Sequence, residues 1–182
     1  MNLTNQLLIA NPDMPDERFV KAVILICEHN ENGALGIDIN HPSDVTINEI
    51  FQSLEISALA IGDQHKVYEG GPVNTQCGFI LHQHHDVFDS SIRISKEISL
   101  TTSKDIIQAI ADNQLNSRWL LALGCATWHE GQLEQEMADN AWLTCPADDA
   151  LVFTATGEDK WTQALNIIGI KPHQLSGDLG HA

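Results

Sequence analysis

Residues 21–40 read KAVILICEHNENGALGIDIN, and this stretch decides the fold class. Two apolar runs, residues 21–27 and residues 34–40, flank the polar segment 29–33. A short polar connection that ends in Asn-Gly is typical of a β-hairpin. In the second run, leucine and isoleucine alternate with small or polar residues, so one face of that strand is predicted to be buried. The first part of the chain is therefore predicted to be rich in β-structure.

Outside the hairpin, strands dominate early and helices are interspersed later. Short apolar runs predict strands at residues 6–10, 66–69, 78–82, 91–95, 119–125 and 151–153. Residues 119–125 are the most apolar of these and are predicted to be central. Capping-box patterns predict helix starts at residues 46–49 and 102–105, and helical spacing predicts helices at 132–140 and at 159–168, before Gly169. The alternation is too irregular for a doubly wound parallel sheet, so we expect one α+β domain over residues 1–182 with a mixed or curved sheet.

Length, composition and charge exclude several classes of protein. The chain has 182 residues, of which 43% are apolar, so it can bury a core as one domain. Its formal net charge of −16 argues against binding to nucleic acid or to an anionic membrane surface, since both require basic residues. The four cysteines are far apart and are predicted to be reduced thiols. Because no basic signal region and no apolar run of about 20 residues is present, the protein is expected to be cytoplasmic.

Two patterns that contain histidine are candidates for chemistry, and each has a structural alternative. His82 and His84 would share one face of a strand end and could chelate Zn²⁺ with a third ligand such as Asp86. A polar loop is favoured there because a metal site needs three or four convergent ligands, so no metal is predicted. Cys27 and His29 would lie on the same side of their strand and could form a thiolate–imidazole pair. A buried thiol and a turn histidine account for the same pattern.

An acidic region spans residues 119–159, with eight Asp or Glu residues and no Lys or Arg. Such a run is most often a solvated face, but it is also suited to docking a basic partner protein. Trp128 and Trp142 flank a predicted acidic helix that carries Glu134 and Glu136. The two tryptophans either pack in the core or line a groove beside that helix. The region is therefore a predicted contact surface for a protein partner.

No motif of a standard enzyme class is present. The sequence lacks a Gly-x-Ser-x-Gly nucleophile elbow, a His-Glu-x-x-His zinc motif, a Walker A loop and a Rossmann fingerprint. The Gly-Gly-Pro segment at residues 70–72 is not followed by the Lys-Ser/Thr of a phosphate loop, and it is predicted to be a tight turn or a bulge. No catalytic residue and no cofactor is therefore predicted.

Many segments together resemble the YqgE/AlgH family of small bacterial proteins. The resemblance rests on residues 7–12, 23–36, 39–40, 70–73, 78–82, 100–105, 131–136, 140–142 and 180–182, which occur in family order along essentially the whole chain. It implies an α+β fold with a branched or barrel-like sheet surrounded by helices. It brings no catalytic residue or cofactor, and the name AlgH implies a regulatory, even transcriptional, role in exopolysaccharide production. The chain departs from the family pattern at residues 124–128, which read GCATW, and His84 and His85 lie outside that pattern.

Two functional hypotheses follow from these observations. The preferred one is a non-catalytic binding or regulatory module that holds a basic protein partner through Glu134, Glu136 and a groove at Trp128 and Trp142. The alternative is a small-molecule-binding protein, or an enzyme without a recognisable motif, with a pocket built from five polar residues: Asn11, His29, Asn40, His82 and Thr102. A transcriptional regulator that binds DNA directly ranks third, because the net charge is −16 and no helix-turn-helix pattern is present.

Overall fold

The computed structural model describes residues 1–58, 65–83, 85–154 and 159–171. The strands of these residues are β1 (Gln6–Ala10), β2 (Val23–Asn30), β3 (Gly33–Asp38), β4 (Val67–Glu69), β5 (Val73–Gln83), β6 (Ile92–Arg93), β7 (Ile98–Thr101), β8 (Trp119–His129) and β9 (Trp142–Pro146). The helices are α1 (Ile47–Ser53), α2 (Lys104–Ala111), α3 (Gln132–Ala138), α4 (Asp149–Phe153) and α5 (Lys160–Ile167). None of the described helices is long and apolar enough to cross a membrane.

The strands form one mixed, branched sheet that curls into a half-barrel. Its main path runs β6-β7-β5-β8-β3-β2-β1-β9, and every pairing along that path is antiparallel. β4 lies off this path and pairs with β8 in parallel. The expected α+β fold with a curved, branched sheet is thereby confirmed, and β8 is central as its apolar sequence predicted.

The sheet branches at Gly124, in the middle of β8. Residues 119–123 pair with β5 on one side and partly with β4 on the other, whereas residues 126–129 pair with β3. Gly124 has a φ of 78°, and a Cβ there would overlap the carbonyl oxygen of Gly71. A Cβ on Gly71 would in turn overlap the main chain of Cys125. The Gly-Gly-Pro segment therefore lets two main chains touch where the sheet divides.

Apolar clusters cover both faces of the sheet. The first cluster joins the sheet to α4 and α5, the second lies beneath α3, and the third joins β5 and β8 to α1 and α2. In β1, Leu7 and Ile9 belong to the first cluster, and Leu8 and Ala10 belong to the second. Because both faces of β1 are buried, its sequence is a continuous apolar run rather than an alternating one.

Local signals predicted most elements, and two predictions were wrong. Residues 151–153 form the end of helix α4 rather than a strand, because the Asp148 side chain accepts a hydrogen bond from Leu151 N and caps a helix. The predicted capping box at residues 102–105 does not form, since Ser103 is the N-cap of α2 and its hydroxyl donates to Asp105 instead. The capping box between Thr46 and Glu49 is confirmed.

Candidate functional site

Two adjacent cavities of about 580 and 460 Å³ lie over the branch of the sheet, and together we call them the branch groove. The two cavities share three lining residues, Val45, Thr75 and Leu123. The first is also lined by charged side chains: Glu17, Arg18, Asp38, His41 and Glu69. The second lies between the helices α1 and α2 and the strands β5 and β8, and its lining includes Thr102 and Lys104. The groove thus combines an apolar floor with a rim of both charge signs.

Asp38 and His41 form an ion pair in the wall of the groove, in which the carboxylate is buried and the imidazole ring is partly exposed. His41 Nδ1 lies 2.6 Å from Asp38 Oδ2, and the Asp38 side chain is only 3% exposed. His41 Nε2 lies 2.9 Å from the carbonyl oxygen of Val20. Because both partners offer oxygen acceptors, this geometry favours the doubly protonated ring, in which both nitrogens donate. The hydrogen bond to Asp38 accordingly raises the pKa of His41 above its ordinary value, although burial opposes it.

Behind this pair, Lys160 is buried at the start of α5. Its Nζ donates to the carbonyl oxygen of Val152 at 2.6 Å and lies 5.0 Å from the centre of the Tyr68 ring. Burial lowers the pKa of Lys160 to about 8, while the nearby Asp38 carboxylate raises it. Asn40, a predicted site residue, accepts a hydrogen bond from Lys160 N and donates to Lys21 O. Asn40 therefore ties α5 to the segment before β2.

His29, a second predicted site residue, connects three parts of the chain. Its Nδ1 accepts from Leu3 N at 3.0 Å, so Nε2 carries the proton and donates to Glu134 at 2.9 Å. The pKa of Glu134 is lowered chiefly by its own main-chain N–H, and His29 adds to this. A bulge between Ile26 and Glu28 interrupts the strand alternation. Cys27 consequently packs in the first cluster, which agrees with the buried-thiol alternative, and His29 bonds to Leu3 and Glu134 rather than to this thiol.

Trp128 and Trp142 are buried in the second cluster, with 5% and 3% of their surfaces exposed. Their rings are 6.2 Å apart in an edge-to-face arrangement. Both indole N–H groups donate to the same oxygen of Glu136, at 2.9 and 2.8 Å. The groove expected at the two tryptophans is therefore filled by their own packing, and the carboxylate of Glu136 joins β8, α3 and β9.

The remaining predicted site residues lie apart from one another. His82 is fully buried, with Nε2 2.8 Å from the hydroxyl of Thr101. The side chain of Asn11 accepts from Asp13 N in the turn after β1. Thr102 is exposed and lines the branch groove. The five polar residues of the alternative hypothesis thus have different surroundings, and two of them, His29 and His82, are buried. His84 is the second histidine of the possible Zn²⁺ site that begins at His82, and it lies outside the described residues.

β9 forms one end of the main path of the sheet, and only β1 pairs with it among the described strands. Two hydrogen bonds that flank the strand, from Asn11 N to Ala141 O and from Ala147 N to Asn5 O, show which main-chain groups of β9 point towards β1. In this register the N–H groups of Leu143 and Cys145 point to β1, and that of Thr144 points away from it. The outer edge of β9 therefore presents main-chain groups that no described strand pairs with.

Comparisons with known proteins agree with this architecture. Residues 7–173 match the model of a family described as AlgH-like. The chain belongs to the AlgH-like family. Among its relatives, a UPF0301 protein of Ralstonia pickettii (strain 12J) is 45% identical and one of Vibrio cholerae is 42% identical. The alignments cover 100% of this AlgH-like chain, with 96% of the first relative and 100% of the second.

Two solved structures share the fold of this AlgH-like protein. The AlgH protein from Pseudomonas aeruginosa is 39% identical, with a TM-score of 0.82 over 100% of this chain and 97% of that chain. A protein from Corynebacterium diphtheriae is 24% identical, with a TM-score of 0.76 over 96% of this chain and 92% of that chain. At that identity, the second comparison supports the fold alone.

Reasoning from the sequence missed several residues in and behind the wall of the branch groove. Asp38 ends the strand β3 and His41 follows it three positions later, a signal that could have been used. Lys160 gave no signal, because a lysine at a helix start is normally exposed. Two segments of the family resemblance, residues 70–73 and 100–105, contribute lining to the branch groove.

Proposed function

We propose that this AlgH-like protein is a non-catalytic binding module that takes up a basic, extended segment of a partner protein along the outer edge of β9. The observation that carries the proposal is the outer edge of this strand, with which no strand in the described part of the chain pairs. Extended segments commonly add to such an edge, since main-chain hydrogen bonds supply affinity and flanking side chains supply specificity. A regulatory role, including a transcriptional one, would then operate through the partner rather than through contact with DNA.

The charge around β9 supports a basic partner. Asp139 and Asp148 are exposed on either side of the strand, and residues 119–159 contain no Lys or Arg. Complementary charge accelerates association and disfavours acidic competitors. Glu134 and Glu136 are less suited to this task than the sequence suggested, because their carboxylates already bond to His29, Trp128 and Trp142.

Pro146 limits the site to a short segment. In the register of β9 its nitrogen lies on the outer edge, where a residue with an N–H would donate to an added strand. Proline on an edge restrains unlimited strand addition, which is a common protection against aggregation. The main-chain groups of Trp142 and Thr144 remain on that edge for pairing, and the edge is thus suited to one short partner strand.

Selection of peptides tests the proposal without knowledge of the partner. A displayed library of ten-residue peptides is selected on the wild-type protein, and the selected peptides are then measured on Thr144→Pro and Thr144→Val. Thr144→Pro removes the outward N–H, whereas Thr144→Val retains it with a similar side-chain shape. We expect basic peptides that bind Thr144→Val like the wild type and lose at least tenfold in affinity on Thr144→Pro.

The charge contribution is measured on the same peptides with Asp139→Asn/Asp148→Asn. Asparagine retains the capping ability of residue 148, so the fold is preserved. Binding should weaken, and its dependence on salt should become shallower. If selection yields only peptides whose affinity is unchanged by Thr144→Pro, the proposed use of the β9 edge is wrong.

A second candidate function, binding of a small molecule, is favoured by the branch groove. Its cavities fall within the size range of typical ligand sites, about 300–1,000 Å³. Thr75 is exposed and lines both cavities, so Thr75→Trp would fill the groove from its rim. Native mass spectrometry of the freshly purified protein tests for a retained ligand, which Thr75→Trp should remove and Thr75→Ser should keep. Absence of any retained mass from the wild type would count against this candidate.

A further inference from the structure

The second cavity of the branch groove, about 460 Å³ in volume, has an apolar floor and a polar rim. The side chains of the floor belong to the third apolar cluster or pack against it: Ile50, Leu54, Ile107, Leu121 and Leu123. Exposed polar side chains, among them Thr75, Gln76 and Thr102, form the rim. An apolar concave surface with a few polar groups is the usual form of a small-molecule site. The floor therefore offers burial to the apolar part of a ligand.

Gly78 keeps part of this cavity open. It lies in β5 opposite Leu123, and its φ is outside the left-handed region, so the main chain at this position does not require glycine. A Cβ added there would meet only the Cδ1 atoms of Ile80 and Ile107 among the described residues, both at 3.9 Å. Glycine inside a strand often marks a place where a ligand or another main chain approaches closely. The space beside Gly78 is therefore available to a ligand.

Lys104 supplies a positive charge at the rim. Its side chain is exposed, and its Nζ donates to the carbonyl oxygen of Leu54 at 3.3 Å. No carboxylate in the described part of the chain forms an ion pair with it. Glu49, which also lines the cavity, directs its carboxylate to the main-chain N–H and the hydroxyl of Thr46. The charge of Lys104 is therefore available to an anionic group.

The floor and the lysine together select a class of ligand. A small inorganic anion would gain only one contact with an exposed lysine, which contributes little. A neutral hydrocarbon would bury its surface on the floor but would leave the charge of Lys104 unused. An aliphatic chain that ends in a carboxylate uses both features, because its methylene groups are buried and its oxygens accept from an ammonium group.

We propose that this cavity binds an unbranched aliphatic carboxylate, with its chain on the apolar floor beside Gly78 and its carboxylate at Lys104. The inference rests on the second candidate function, binding of a small molecule in the branch groove, and it names the chemical class of that molecule. It is independent of the use of the β9 edge, because none of the residues involved belongs to β9.

The probe is octanoate, titrated into the ¹⁵N-labelled protein and followed by the main-chain amide signals of Gly78, Lys104 and Leu121. We expect saturable shifts, and an affinity that rises about fourfold per methylene from hexanoate to octanoate, as burial of each CH₂ requires. Octylammonium has the same chain and the opposite charge, and it should bind at least fivefold more weakly. Because the net charge of −16 favours octylammonium, a preference for octanoate must arise from the local charge of Lys104.

Two substitutions separate the chain from the head group. Gly78→Val fills the space beside the floor and should weaken octanoate at least tenfold, with a smaller loss for Gly78→Ala. Thermal unfolding checks that both variants are folded. Lys104→Gln should weaken octanoate about threefold and should abolish the preference over octylammonium. Lys96→Gln is the matched control, because Lys96 is exposed in the turn between β6 and β7 and does not line this cavity.

Three results would overturn the proposal. The first is the absence of saturable shifts at Gly78, Lys104 and Leu121. The second is binding of octylammonium as tight as that of octanoate. The third is an equal effect of Lys104→Gln and Lys96→Gln on octanoate, since the head group would then have no specific partner.

The same measurements distinguish this proposal from the proposed functions. If the purified protein retains a ligand that Thr75→Trp removes, and octanoate does not bind, the second candidate function stands and the ligand class is wrong. If octanoate binds as expected and no selected peptide is sensitive to Thr144→Pro, the cavity proposal stands and the use of the β9 edge fails.

Discussion

Trp128 and Trp142 share one hydrogen-bond acceptor, the Oε2 atom of Glu136. The two tryptophans lie 14 positions apart in the sequence and belong to β8 and β9. Their common acceptor belongs to α3, so three elements meet at one carboxylate. A residue that the sequence offered as a partner contact is thus part of the internal support of the fold, and reversal of its charge would test folding rather than binding.

Replacement of Glu136 by alanine is expected to lower the free energy of unfolding by about 2–4 kcal/mol, because two buried indole N–H groups lose their acceptor. Glu130→Ala is the control, since Glu130 is exposed and its replacement should cost less than about 0.5 kcal/mol. Urea unfolding followed by tryptophan fluorescence measures both variants. Equal stabilities of the two variants would contradict the shared-acceptor geometry.

Gly124→Ala and Gly131→Ala separate backbone strain from steric overlap. The two glycines have nearly the same φ, 78° and 72°, but only Gly124 has atoms within reach of an added Cβ. Gly131→Ala should therefore cost about 1 kcal/mol, the usual penalty for the left-handed conformation. Gly124→Ala should cost at least about 3 kcal/mol, because the main chains at the branch must separate. Thermal or urea unfolding provides the comparison, and similar losses would show that the strands at the branch are not in close contact.

Proline at two neighbouring positions of β9 tests which edge of the strand is open. Leu143→Pro removes an N–H that points to β1, so it should destabilise the protein by about 3 kcal/mol or more. Thr144→Pro removes an outward N–H and should cost about 1 kcal/mol or less. Hydrogen exchange of the wild-type protein gives an independent reading, with faster exchange at Thr144 than at Leu143 and Cys145. The opposite order would place the open edge on the other side.

The ion pair of His41 and Asp38 predicts a pH dependence of stability. The pKa of His41 is raised in the folded protein, so its contribution is complete below the unfolded value of about 6.5. The contribution is lost as pH rises through the folded pKa. His41→Gln keeps an amide donor without titration, and the stability difference between the wild type and this variant should shrink with increasing pH. We expect it to amount to a few tenths to about 1 kcal/mol, since the histidine is partly exposed.

Urea unfolding at several pH values above and below neutrality measures this difference. His129→Gln is the control, because His129 is exposed at the end of β8. Its stability should follow that of the wild type across the range. A difference for His41→Gln that grows with pH would mean that His41 is not held as an imidazolium.

Local sequence was sufficient wherever neighbouring residues alone set the conformation. The Asn-Gly segment predicted the hairpin of β2 and β3, Thr46 and Glu49 predicted the start of α1, and Gly169, with a φ of 74°, follows α5 as predicted. The same reasoning wrongly gave a strand at residues 151–153, because an apolar run of three residues is too short to distinguish the hydrophobic period of a helix from that of a strand. There, the cap supplied by Asp148 decided the outcome.

The sequence by itself determined the α+β class, the central position of β8 and the membership of the AlgH-like family, since these depend on apolar runs, turns and motifs in chain order. Only the tertiary structure decided which polar residues meet. Trp128 and Trp142 meet at the carboxylate of Glu136, and Asn40 accepts a hydrogen bond from Lys160 N, because strand register and helix packing bring separate segments together. Such contacts depend on distances in space between residues that are remote in sequence or follow a turn, and no spacing along the chain encodes those distances.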